Sequence, residues 1–141
     1  MTARTLAQLA AGLAARKYSS AELTQAALAR VQGAQPRLNA LISITVESAQ
    51  AAAAVADERL ATGKAGPLTG IPMIHKDIFC TAGVLTTCGS RMLSNFVSPY
   101  DATVVTRLKQ AGMVMLGKAN MDEFAMGSSN ETSFYGPVKN P

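Results

Sequence analysis

An α/β fold is what this sequence predicts, and three features carry that expectation. Hydrophobic residues make up 48% and charged residues 16% of the 141 positions, a balance that supports a packed interior and argues against a disordered chain. The first sixty residues repeat apolar side chains at helical spacing until a run of turn-formers, Gly63-Lys64-Ala65-Gly66-Pro67-Leu68-Thr69-Gly70, ends that texture. Beyond it the chain alternates strand, helix and strand, an order that needs a crossover between parallel strands of one sheet.

Leu6, Leu9, Ala10 and Leu13 predict a short amphipathic helix that fades near Lys17-Tyr18. Ser19-Ser20-Ala21-Glu22 has the form of a capping box. It opens a second helix with Leu23, Ala26, Ala27 and Val31 on its apolar face, ended by Gly33 with Pro36. Leu38 to Ile44 reads as a strand or extended segment. Thr45 is placed to cap a third helix through the alanines at 51–54, which Gly63 stops. Residues 71–76 form the next expected strand and 79–92 a loop. Asp101 is expected to cap a helix that turns Val104, Val105, Leu108 and Ala111 inward, with Gly112 at its end. Met113-Val114-Met115-Leu116 is a second buried strand, and Asn120 to Phe124 begins a helical turn that closes by Gly127.

The net charge of +4 comes from scattered basic residues, among them Arg4, Arg16, Lys17, Arg30, Arg37, Arg59 and Lys64. Without a dense Lys/Arg stripe interleaved with aromatics, direct nucleic-acid binding by this segment is not expected. No run approaches the ~20 apolar residues of a membrane helix, so no membrane partner is expected. Met1-Thr2-Ala3-Arg4 leads into an amphipathic pattern with no signal cleavage site, and the expected location is cytoplasmic. Cys80 and Cys88 are then expected as reduced thiols, and with one nearby histidine they make no structural zinc site.

The chemistry concentrates first in Gly70-Ile71-Pro72-Met73-Ile74-His75-Lys76-Asp77-Ile78-Phe79, a lysine driven into the end of an apolar run. A lysine at the end of a buried strand pairs with an acid or gives up its proton, because an isolated buried ammonium is costly. A neutral amine is a usable base, so Lys76 is the candidate catalytic residue, against the alternative that it is ion-paired. Alternation along a strand sends Asp77 to the opposite face from Lys76. His75, the only histidine, also lies opposite Lys76, and a packed or surface role is expected for it. Gly112-Met113-Val114-Met115-Leu116-Gly117-Lys118-Ala119 has the spacing of a P-loop. The residues between its glycines are strand-like, its helix precedes it, and Ala119 stands where a magnesium-binding hydroxyl belongs, so it is rejected as a phosphate site. Gly127-Ser128-Ser129-Asn130-Glu131-Thr132-Ser133 either lines a pocket with amides and hydroxyls or is an ordinary loop.

Taken together, Gly66-Pro67-Leu68-Thr69-Gly70-Ile71-Pro72, His75-Lys76-Asp77, Asp101-Ala102-Thr103-Val104-Val105 and Gly117-Lys118-Ala119-Asn120-Met121-Asp122-Glu123-Phe124-Ala125-Met126-Gly127-Ser128-Ser129 resemble the amidase signature family. Within it, Met121 to Ser133 is similar to the glutaminase subunits of tRNA-dependent amidotransferases; Ala119 stands where these often have threonine. The resemblance covers the whole chain, weakly over the first 60 residues and strongly from Gly66. It implies the amidase-signature α/β fold, a mixed sheet flanked by helices. Residues 1–65 would be an N-terminal helical arm and 66–141 the start of the α/β core, truncated before a Gly/Ser-rich catalytic stretch.

That resemblance also implies a Ser–cis-Ser–Lys triad whose lysine falls on Lys76, with Gly127 and Ser128 beside the acyl pocket as substrate-binding positions. The family's two serines lie in a Gly/Ser tract beyond Asn140-Pro141, and no Gly-Gly-Ser-Ser-Gly-Gly sequence occurs here. The chain is therefore expected to be the N-terminal portion of a longer enzyme and inactive alone, with the glutamine-carboxylate anchors also beyond it. The activity implied for the whole is hydrolysis of glutamine and delivery of ammonia to amidotransferase subunits B and C in a heterotrimer. There Glu-tRNA(Gln) or Asp-tRNA(Asn) is amidated with ATP and Mg; no cofactor or metal is expected in this chain itself. A general amidase of small amides and a non-catalytic assembly piece are the rival readings.

Overall fold

The computed structural model describes residues 4–141. Its elements are α1 (Leu6–Ala14), α2 (Ser20–Leu38), β1 (Leu41–Ile44), α3 (Val46–Ala61), β2 (Pro72–Lys76), α4 (Thr103–Gln110) and β3 (Val114–Ala119), with 3-10 turns at Arg91–Leu93 and Glu123–Ala125. The strands form one sheet in the order β1-β3-β2. β1 runs antiparallel to β3. Val114 N–H donates to Ile71 C=O and Asp77 N–H to Ala119 C=O. Partners rise together along both chains, so β2 and β3 are parallel and α4 lies in their crossover. The residues divide into two compact units, each threaded by three stretches of chain.

The first unit takes the chain up to Ala29, Thr45–Met73 and Leu108–Leu116. Its core is aliphatic: Leu13, Leu28, Ala49, Ala53, Ala56, Ile71, Val114 and Leu116 are buried. Ala49, Ala53 and Ala56 recur at helical spacing, giving α3 one small-residue face for close packing. The capping box at α2 is formed, with Glu22 N–H donating to Ser19 Oγ at 3.0 Å and Ser19 N–H to Glu22 Oε2 at 2.7 Å. A second carboxylate reaches the same helix end: Asp57 accepts Ser20 N–H at 2.6 Å and Ala21 N–H at 3.0 Å. Two anions thus satisfy amides that a helix start leaves without partners, and each sits favourably at the positive end of the dipole. In the turn before β2, Thr69 Oγ1 accepts Gly66 N–H and donates to Ala111 C=O.

The second unit takes Arg30–Ile44, Ile74–Arg107 and Gly117–Pro141, and its interior is polar. Buried apolar side chains there are Leu41, Val105 and Met121, whereas His75, Asp77, Thr81, Thr86, Thr87, Ser90, Ser98, Lys118, Asp122 and Ser133 are buried with them. Conversely Ile74, Ile78, Met92, Val97, Tyr100, Val104, Phe124, Met126, Phe134 and Val138 are exposed. β1 pairs with β3 through Leu41 opposite Ala119, Ser43 opposite Lys118 and Ile44 opposite Gly117. Gly117 is required by close approach: a Cβ there would collide with the Ser43 carbonyl and reach 2.8 Å from Leu41.

Four elements depart from expectation. α2 passes through Gly33 and Pro36 to Leu38. Pro36 lies in the last turn, where the only bond it forfeits is that to the Gln32 carbonyl. The stop is Asn39, in the left-handed region at φ 53 and fixed by its side-chain amide on Tyr135 and Gly136 carbonyls. Thr45 does not cap α3 with its side chain but donates to Met115 C=O. Val104 is 38% exposed, and only Val105 of α4 is buried. The turn after Asn120 shrinks to Glu123–Ala125, because Phe124 and Ala125 both adopt left-handed backbone.

Candidate functional site

β2 and the two residues after it alternate as a strand should, and the parity decides everything that follows. His75 and Asp77 point inward; Ile74, Lys76 and Ile78 point outward. Lys76 is therefore exposed, which corrects the expectation of a lysine in a dry interior. Its ammonium makes no hydrogen bond or ion pair among the described residues. The ion-pair alternative fails as well, since Asp77 is engaged elsewhere. His75 is buried, as a packed histidine should be, with its ring edge-on to Phe79 at 6.2 Å.

The lysine that enters the interior is Lys118, on β3. Its Nζ lies 3.1 Å from Asp77 Oδ1, both side chains wholly inaccessible, and donates to Phe79 C=O and Thr86 Oγ1 at 2.9 Å each. Two hydrogen bonds and one ion pair thus match the three protons of the ammonium. Asp77 Oδ2 accepts Thr87 N–H at 2.8 Å and Thr87 Oγ–H at 2.5 Å, while Oδ1 has the ammonium as its partner. Thr86 and Thr87 follow an antiparallel bridge between Leu85 and Val97 that fixes their loop. A buried pair is tolerable only when neighbouring polar groups surround it, as the two threonines and the Phe79 carbonyl do here for all but Asp77 Oδ1, which accepts no hydrogen bond and has the ion pair alone. The same lock shows why Gly112–Ala119 is no phosphate cradle: its lysine is sealed against a carboxylate within a strand. Nearby, burial and then the Asp77 and Cys80 charges push the Cys88 thiol up, against an opposing pull from Lys118.

The segment after β3 is held by its own polar residues. Asn120 donates to Asn39 and Gly136 carbonyls and accepts from Met121 N–H and Ser133 Oγ–H. Ser90 Oγ donates to Glu123 Oε1 at 2.6 Å, and Phe124 and Phe134 N–H groups bond the Cys88 and Gly89 carbonyls. At the centre, Asp122 Oδ2 accepts Asn130 N–H at 2.8 Å, while its Oδ1 accepts Glu131 N–H, Thr132 N–H and Thr132 Oγ–H at 2.9–3.0 Å. Gly127 and Ser128 are exposed on the loop this clasp closes. Sequence reading singled out those two positions and missed Asp122, whose signal was an acid eight to ten residues before a polar run that offers consecutive amides.

Hydrogen bonds from Thr132 N–H first, then Asn130 N–H, hold the Asp122 carboxyl down from 3.8 to about 2, against a smaller upward push from burial. The folded value lies below the unfolded one, so the clasp contributes in full above about pH 4 and is lost as pH falls through 2. The protection of the Asn130, Glu131 and Thr132 amides, taken relative to their intrinsic exchange at each pH, should be kept at pH 4 and lost near pH 2. An opening centred at pH 4 would mean that the carboxylate does not hold the loop.

The pattern of the family described as Amidase matches residues 22–141. The A subunit of glutamyl-tRNA(Gln) amidotransferase from Alkalilimnicola ehrlichii is 66% identical over all 141 residues, and that from Methylococcus capsulatus 69%, each alignment covering 29% of the relative. The native peptide amidase of Stenotrophomonas maltophilia superposes with a TM-score of 0.89 at 36% identity, over 99% of this chain and 30% of that one. The α/β arrangement is therefore the amidase-signature fold in part. This chain spans under a third of the length of the relatives it matches. Among the described residues no helix is long and apolar enough to cross a membrane.

Proposed function

The chain belongs to the amidase family, and from that premise we propose that it is the N-terminal portion of a glutamine-hydrolysing subunit of a tRNA-dependent amidotransferase. The observation that carries this reading is identity along the whole chain to the A subunits of glutamyl-tRNA(Gln) amidotransferases. In it Lys76 is the base, relaying a proton from a bridging serine that in turn deprotonates the nucleophilic serine; both serines come from chain beyond Pro141. Gly127 and Ser128 border the acyl group. Lys76 is exposed and unpaired between Ile74 and Ile78, so further chain can reach it, and in this reading that chain supplies the desolvation a neutral amine requires.

The many apolar side chains on the outside of the second unit support it further. Ile74 and Ile78, exposed on either side of Lys76, are side chains that further chain would cover. Ammonia released from glutamine would pass to subunits B and C of a cytoplasmic heterotrimer, where ATP and Mg serve the amidation of Glu-tRNA(Gln) or Asp-tRNA(Asn). No residue of this chain is assigned to hold either.

The test is to complete the chain with the downstream sequence and assay it. The completed protein should release glutamate and ammonia from glutamine, and the 141-residue chain alone should release neither. A completed protein that cleaves short peptide amides and leaves glutamine intact would move the assignment to a general amidase, the rival that likeness to a peptide amidase supports. No hydrolysis of any amide would leave the assembly role.

A further inference from the structure

We infer that Asp122 is the positioning residue that sets where Gly127 and Ser128 stand, an inference that rests on the substrate-binding reading of that loop. Asn130, Glu131 and Thr132 all end on its carboxylate. Gly127 lies against the same group: a Cβ there would sit 2.5 Å from Oδ2 and 2.8 Å from Oδ1. Both the middle and the far end of the 123–132 excursion therefore close on one side chain, and that residue is itself 7% exposed and lies three positions beyond the end of β3. The near end is wound tightly, with Phe124 at φ 51 and Ala125 at φ 59. Left-handed backbone at two successive residues with side chains persists only where surrounding bonds over-determine it. Backbone bonds hold that turn, Phe124 N–H on the Cys88 carbonyl and Ala125 N–H on the Asp122 carbonyl, and glycine at 127 is what lets the loop descend onto the carboxylate.

Asp122 touches no reacting atom in this scheme. Its effect on substrate is transmitted through loop height, so its loss should weaken binding more than it slows chemistry. Asparagine keeps the shape but turns one accepting oxygen into an NH2 group, which meets the Asn130 or Glu131 N–H donor to donor.

The test is D122N, with T132V as a milder partner that removes one hydroxyl, with its donation to Asp122 Oδ1 and its acceptance from Glu123 N–H, and keeps the backbone. In this chain, the amides of Asn130, Glu131 and Thr132 should exchange at least tenfold faster in D122N, with Val114 unchanged. In the completed enzyme, KM for glutamine should rise about tenfold or more in D122N and severalfold in T132V, with kcat within about threefold. Wild-type exchange rates in the variants would overturn the clasp. Faster exchange with unaltered KM would overturn the positioning role. If D122N does not fold, the T132V pair of measurements decides by the same criteria. An unmutated completed enzyme that does not hydrolyse glutamine would sink the functional reading alone, because the exchange result does not depend on it.

Discussion

Lys118→Met should cost the fold about 3–5 kcal/mol, the cost seen when one partner of a buried ion pair is removed. The reason is what remains. Asp77 keeps its two bonds from Thr87 but faces the vacated space with Oδ1, a charged oxygen with no water to solvate it. Phe79 C=O and Thr86 Oγ1 lose their donor in the same stroke. Asp77→Asn alone should also destabilise, since it leaves the ammonium without a counter-charge. The double variant Lys118→Met/Asp77→Asn should be more stable than Lys118→Met by at least about 1 kcal/mol, because it removes the stranded charge and keeps an acceptor for Thr87 N–H. Urea unfolding midpoints at constant slope measure each term. A Lys118→Met midpoint equal to wild type would mean the pair is solvated. Surface lysines give no such result, which is why this one change separates Lys118 from every other basic residue of the chain.

The contrast between Lys118 and Lys76 also shows where sequence reading stops. Both end an apolar run, Ile71–Ile74 in one case and Met113–Leu116 in the other. Periodicity correctly placed Lys76 and Asp77 on opposite faces of β2, but it could not say which face was interior. The apolar run before Lys76 suggested the face of that lysine. What turns the strand over is a set of partners remote in sequence: Lys118 from β3 and Thr87 from the loop that follows β2, which make a charged residue the better one to bury.

Local signals were read well where they are self-contained. The Ser19–Glu22 box and the turn at Gly63–Gly70 need only neighbours to be recognised, and the parallel crossover of β2 and β3 follows from the order of elements along the chain. The end of α2 was misread because Gly33 and Pro36 look like terminators, whereas Asn39 is tied by contacts almost a hundred residues away. The candidate site divides in the same way. Lys76, Gly127 and Ser128 were named from motif resemblance, while the carboxylate that organises their loop was visible only once Asn130 to Thr132 were seen to converge on it.

Lys76→Ala in the completed protein should lower glutamine turnover by about 10⁴-fold or more, within the range that loss of one member of a catalytic triad produces, and in the 141-residue chain should leave the unfolding midpoint where it is. The two halves of that expectation have separate grounds. Stability should hold because the side chain is exposed and makes no hydrogen bond or ion pair among the described residues, and changes at such positions stay within about 0.5 kcal/mol. Turnover should collapse because the two basic groups on the neighbouring strand positions cannot take over: His75 is packed inward against Phe79, and Lys118 is committed to Asp77. Lys76→Arg sharpens the test. A guanidinium keeps the positive charge but cannot be deprotonated in a protein, so it cannot serve as a base. If the residue works by proton transfer, arginine should be as inactive as alanine; if it works only as a positive charge near the acyl group, arginine should restore a substantial part of the rate. Near-normal hydrolysis in a well-folded Lys76→Ala protein would remove the lysine from the mechanism altogether.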